Sequence, residues 1–130
     1  MKRTLLLHAD LSRVIAQLGH GDMVVIGDAG LPIPDGPLRI DLAVTPGVPR
    51  LSDVLSAVLS EMQVEHAVVA QEALGADGSF PSWCAVGFPL SLEAVPHAVL
   101  KQRCAQAKAV VRTGECTPYA NIILYSGVTF

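Results

Sequence analysis

The sequence predicts an α/β fold, a three-layer α/β/α sandwich around a mostly parallel central sheet. Three observations lead there. Residues 23–27, "MVVIG", are apolar throughout, the pattern of a strand covered on both faces. Two stretches, 10–19 and 50–62, repeat their apolar residues at helical spacing. Strand-like and helix-like segments then largely alternate along 130 residues, a length that suits one domain spanning 1–130.

The first helix is "DLSRVIAQLG". Leu11, Val14, Ile15 and Leu18 form one apolar face, Asp10 is a candidate N-cap, and Gly19 suits a left-handed stop. The buried strand 23–27 follows, then a second strand at 38–44 ("LRIDLAV") and a turn, "TPGVP". Helix 50–62 carries Leu51, Val54, Leu55, Val58, Leu59 and Met62 on one face, and "VEHAVVA" (64–70) is a third strand. Residues 80–95 carry a weak pattern, with a possible strand at Trp83–Phe88. A helix at 96–107 begins with Pro96 in its first turn. Strands 109–114 and 121–126 close the chain, joined by "ECTPYA".

Composition excludes several functions. The net charge is −3, the basic residues are scattered, and aromatic residues make up 5%, so neither a nucleic-acid groove nor an anionic membrane surface is indicated. No uncharged stretch exceeds 15 residues, and Gly78 to Leu92, which reaches that length, holds two prolines, too short and broken for a membrane span. The apolar run near the N-terminus is only Leu5–Leu7, which argues against a signal peptide. Three cysteines, Cys84, Cys104 and Cys116, without a C-x-x-C pair, fit reduced thiols in a cytoplasm. Hydrophobic residues reach 51% while charged residues fall to 16%, against about 25% in ordinary domains. A small domain with so few charges is expected to cover part of its surface with other copies of itself, as a homo-oligomer.

No phosphate loop, zinc-ligand spacing or G-x-S-x-G elbow occurs, so no metal site is expected. Proton transfer on a polar, uncharged small molecule remains. Asp28 follows the first buried strand, at the rim where α/β sheets bind ligands. It could serve a ligand there, and it could equally be a turn or cap residue. His20 lies between two glycines at the other end of the same strand, about 17 Å away if five extended residues separate them. Either the Gly19–Gly21 turn folds back along the sheet, or a neighbouring subunit completes a shared site, or His20 is simply a hydrogen-bonded turn residue. His97 and Lys101 are four apart on the last helix and can share a face toward a ligand or toward solvent. "GECTPYAN" (114–121) offers a tyrosine hydroxyl and an asparagine amide that both donates and accepts. His8 and His66 have weaker claims, and His66, inside an apolar strand, reads as structural.

"LGHGD", "DAGLPIP", "RIDLAVTPGVP", "EMQVE" and "RTGECTPYANIILYSGVTF" together resemble the ribose pyranase and fucose mutarotase family. The likeness covers about residues 4–72 and 96–130, and "DAGLPIP" with "RIDLAVTPGVP" favours the ribose branch. It implies interconversion of the β-pyranose and β-furanose forms of D-ribose, no cofactor, and a cytoplasmic ring-shaped oligomer, commonly a decamer. It implies His20 as proton donor and a sugar site at Asp28, His97, Tyr119, Ala120 and Asn121, with Lys101 as a further contact. The other functions compatible with the same residues are a fucose-type mutarotase that exchanges anomers, and a non-catalytic sugar-binding oligomer. Between Leu74 and Pro96 the chain departs from the family pattern.

Overall fold

A computed structural model describes residues 1–84 and 91–130. In chain order the elements are α1 (Ala9–Gln17), β1 (Met23–Gly27), β2 (Leu38–Asp41), α2 (Leu51–Leu59), β3 (Val64–Ala70), β4 (Ser91–Val95), α3 (His97–Arg103), β5 (Ala109–Arg112) and β6 (Ile122–Ser126). The six strands form one sheet in the order β2-β5-β1-β6-β3-β4. β2, β5 and β1 run parallel, as do β3 and β4. β6 lies antiparallel between β1 and β3, which makes the sheet mixed.

Alternation along β1 builds both cores. Val24 and Ile26 pack with Leu11 and Val14 of α1 and with Leu51, Val54, Leu55 and Val58 of α2. Met23 and Val25 face the other way, toward Leu100 and Cys104 at α3. The sheet is thus covered on both faces, as the three-layer reading expects. Cys84 and Cys104 are buried in these cores, and burial pushes both thiols up to about 11.

Several boundaries differ from the sequence expectations. The cap of α1 is His8, whose Nδ1 accepts from the Leu11 amide at 3.3 Å, while Asp10 sits inside the first turn. α1 closes at an extended Leu18, and the left-handed residue that follows is Gly21, at φ +79°, rather than Gly19. β2 stops at Asp41, where the carboxylate accepts the Ala43 amide and bends the chain away from the sheet. α2 begins one residue late and stops at Leu59. α3 ends at Arg103 and tightens into a 3-10 turn over Cys104–Gln106, so the 96–107 segment is shorter as an α-helix than its pattern suggests. Trp83 and Cys84 lie in a 3-10 turn rather than a strand, and the remainder of the possible strand at 83–88 lies outside the described residues. β4 was not resolved as a separate element by sequence. No helix of the described residues is long and apolar enough to cross a membrane.

Candidate functional site

The Asp28 end of β1 is fastened on three sides. Thr113, fully buried, donates its hydroxyl to the Gly27 carbonyl at 2.8 Å. Arg112 donates Nε to the Ala29 carbonyl at 2.9 Å and pairs with Asp41 at 3.0 Å. The Ala29 amide donates to the Glu115 carbonyl at 2.8 Å. Asp28 itself accepts from the Gly30 amide through Oδ1, at 2.9 Å.

Asn121 joins this end of the sheet to α3. It is fully buried. Its Oδ1 accepts the Asp28 amide at 3.0 Å, and its Nδ2 donates to Asp28 Oδ2 at 3.1 Å. The same Nδ2 lies 3.4 Å from His97 Nε2. The carboxamide rests directly over Gly27, where a Cβ would come within 2.9 Å of Asn121 Oδ1 and would also strike Leu31. His97 is the first residue of α3, and its amide is capped by the Glu72 carboxylate at 2.9 Å. Tyr119 packs its ring edge-on against the His97 ring, centroids 5.1 Å apart. It does so from the left-handed region, φ +62°, a backbone state that costs a non-glycine residue roughly 1–3 kcal/mol and recurs at ligand sites. Ala120 is buried beside it, and Lys101 lies one turn along α3, exposed. Asp28, His97, Tyr119 and Asn121 therefore form one cluster, with two acceptors, a phenol and an imidazole at the carboxyl end of β1.

His20 is not part of that cluster. It sits at the tip of a tight turn, with the Asp22 amide donating to the Gly19 carbonyl at 3.1 Å and Asp22 Oδ2 accepting the Gly19 amide at 2.9 Å. The turn is tied to the far end of β6, where the Gly21 amide donates to the Ser126 carbonyl at 2.8 Å. It does not fold back along the sheet. Since Met23 pairs with Tyr125 and Ile26 with Ile122, the full length of β1 separates His20 from Asp28, about 17 Å. His20 instead borders a groove of about 450 Å³ whose lining includes Leu18, Met62, Gly127 and Phe130. Its Nε2 meets the Glu65 carboxylate at 2.9 and 3.0 Å. Within the chain, then, the carboxylate holding His20 is Glu65 and not Asp28.

Sequence reasoning passed over Glu65, Arg112 and Glu72. Glu65 closes the "EMQVE" segment and was visible as part of that motif. Arg112 opens the "RTGECTPYANIILYSGVTF" segment, whereas Glu72 lies outside every quoted motif; both act on main-chain groups distant in sequence, which local pattern does not reveal. Of the two histidines with weaker claims, His8 is the α1 cap, and His66, read as structural, bonds Glu93 at 3.1 Å and packs its ring on Tyr125. Among the described residues no group of three or more His, Cys, Asp or Glu is placed to hold a metal ion.

A model of the RbsD / FucU transport protein family matches residues 1–129. The chain belongs to this family. A D-ribose pyranase of Variovorax paradoxus is 67% identical, with both chains covered completely. Another from Paracidovorax citrulli is also 67% identical over the whole of each chain. Among solved structures, Bacillus subtilis RbsD complexed with D-ribose superposes with a TM-score of 0.92 at 42% identity, covering all of both chains. The family likeness seen in the motifs is therefore borne out over the whole chain, including 74–96, where the motifs gave no support. The mixed sheet with helices on both faces is the family's fold.

Proposed function

We propose that this protein is a D-ribose pyranase, an isomerase that interconverts the β-pyranose and β-furanose forms of D-ribose without a cofactor. The observation that carries the reading is full-length 67% identity to proteins bearing that activity. The site's chemistry supports it. Asp28, Asn121, Tyr119 and His97 offer acceptors and donors suited to hydroxyl groups.

His20 is the proton donor in this reading. As imidazolium it gives a proton to the ring oxygen while the bond from that oxygen to the anomeric carbon breaks. The anomeric hydroxyl loses its proton and becomes the aldehyde carbonyl. After rotation, the 4-hydroxyl attacks that carbonyl and loses its proton, and the carbonyl oxygen takes one up. Histidine exchanges protons near neutral pH, which suits both directions. Asp28, His97, Lys101 and the Tyr119-Ala120-Asn121 run hold the sugar.

A general acid must lie within hydrogen-bond reach of its target, and the length of β1 forbids this within one subunit. The pocket is therefore built between subunits, His20 of one chain reaching the Asp28 cluster of the next. Exposed Leu5, Leu7, Val44 and Val48 are apolar surface consistent with a homo-oligomer, which we take to be a decamer. We place the enzyme in the cytoplasm and treat residues 1–130 as one domain.

The test is NMR magnetisation exchange on D-ribose at equilibrium, following transfer between the β-pyranose and β-furanose anomeric signals. Transfer is expected with the wild type and is expected to fall by about 10²- to 10⁴-fold in His20→Ala. Exchange of anomers without exchange of ring size would instead favour a fucose-type mutarotase, and ribose binding with buffer-rate exchange a non-catalytic sugar-binding protein.

A further inference from the structure

We propose that Glu65 is the positioning residue for His20, fixing the imidazole as its Nε2–H tautomer so that Nδ1 is the nitrogen that exchanges the proton with the sugar. This rests on the reading of His20 as proton donor.

Three features of β3 and its neighbours carry the assignment. The first is a β-bulge. Val64 pairs with Ser126 and His66 with Tyr125, so β3 spends two residues where β6 spends one, and Glu65 is the extra residue. Core membership reports the same shift of phase: Val64 and Ala67, three apart, lie in the same core, on the α1/α2 face. In a regular strand they would face opposite sides. Such bulges commonly re-aim a side chain beside an active site. Here Val64 and His66 keep their places in the structure while Glu65 is released from the ladder toward the His20 turn.

The second feature is the contact itself. Both Glu65 oxygens lie within 3.0 Å of His20 Nε2. The other side-chain carboxylates around the turn are already engaged. Asp22 takes the Gly19 amide and Lys108, and Glu61 takes Lys2 and Thr4. The C-terminal residue, Phe130, borders the same groove. A carboxylate accepts and does not donate, so its partner nitrogen carries the proton in both charge states of the ring. In neutral imidazole this leaves Nδ1 as the acceptor, and in imidazolium it leaves Nδ1–H as the proton to give.

The third feature is Gly127, which lies against Glu65. Its amide donates to the Gln63 carbonyl at 2.9 Å, and a Cβ at 127 would stand 3.0 Å from the Glu65 Cβ and 3.4 Å from Oε2. A side chain there would crowd the carboxylate, and glycine leaves it room. The segments "EMQVE" and "SGVTF", far apart in sequence, thus meet to hold one histidine.

The deciding measurement is the tautomer of His20, read from histidine ¹⁵N chemical shifts by magic-angle-spinning NMR on the assembled protein. The His20 signal is assigned by its loss in His20→Ala. The wild type is expected to show the Nε2–H tautomer in its neutral form. In Glu65→Gln, whose amide can donate as well as accept, a mixture of both tautomers is expected. The ring-exchange rate should drop about tenfold or more, with ribose affinity held within about twofold. A purely structural role would leave the tautomer unmoved. A wild-type Nδ1–H tautomer overturns the proposal whether or not the variant folds. So does an unchanged tautomer and rate in Glu65→Gln when His20→Ala is inactive. Full activity of His20→Ala would instead overturn the reading on which the proposal rests, a result separable from the other two.

Discussion

Asn121 carries the greatest burden of any single side chain in the candidate site. It satisfies the Asp28 amide, donates to the Asp28 carboxylate and reaches His97, all from a fully buried position. Removing a partner from a buried donor costs about 1–3 kcal/mol, because water cannot replace it. Asn121→Ala should lower stability by about that amount. It should also weaken ribose binding, since Asp28 loses a donor that holds its carboxylate in place. Thermal unfolding together with a ribose titration checks both effects, and a variant with unaltered ribose affinity would separate Asn121 from the sugar site. Gly27 is tied to the same residue, because the space a side chain would need there is filled by Leu31 and by the carboxamide oxygen of Asn121. Sequence reading found Asp28, His97, Tyr119 and Asn121 because each is a polar group at the edge of an apolar element. It passed over Glu65 because a bulge leaves no mark on composition. Polar Glu65 beside half-buried His66 reads as ordinary exposure until the register to β6 is known.

At the scale of elements, α1, β1, α2, β3 and β6 were legible because their apolar faces are wide and continuous. β4 was not. It pairs with β3 alone at the sheet's edge, its residues are mostly half-buried, and Glu93 interrupts its apolar run. That glutamate has a definite task. It accepts from both terminal nitrogens of Arg103 at 3.2 Å and bonds His66 at 3.1 Å, so it fastens the C-terminal end of α3 to two strands. α3 in turn carries His97 and Lys101. The Arg103 hydrogen bonds, and then the His66 bond, hold the Glu93 carboxyl below the usual carboxylate range. A carboxyl lowered in the folded state stabilises the fold above its unfolded value, about 4.3, and that contribution is lost as pH falls through the folded value. Glu93→Gln should therefore destabilise the protein at neutral pH by no more than about 1 kcal/mol, since both partners are partly solvated. The difference from wild type should shrink on acidification below about pH 4. Denaturant unfolding of the two proteins at pH 7 and at pH 3.5 measures it, and a difference that grew toward acid would contradict the role given to Glu93.

The whole molecule poses the question its parts leave open. Two sets of chemically apt residues stand at opposite ends of β1, each well built. Gly21, Asp22 and Glu65 fix His20 at one end, and Thr113, Arg112 and Asn121 fix Asp28 at the other. The first set holds the candidate proton donor, His20, and the second the candidate hydroxyl partners, Asp28, Tyr119 and Asn121. In a ring closed by a head-to-tail contact, that contact repeats around the axis, so each His20 end would meet the Asp28 end of a neighbour. The low charge content and the exposed apolar side chains near the N-terminus and the 44–48 turn are what such an assembly would cover. This predicts complementation. His20→Ala keeps an intact Asp28 end, and Asp28→Asn keeps an intact His20 end. Each variant alone should be nearly inactive in ring exchange. Unfolded together, mixed in equal amounts and reassembled, they should recover about a quarter of wild-type activity, because random assembly pairs two intact halves at one contact in four. Mixing the separately assembled variants without unfolding should recover far less if subunits exchange slowly, which controls for residual activity. Reassembled mixtures that stayed as inactive as their parents would place both halves of the site within one chain, against the geometry of β1.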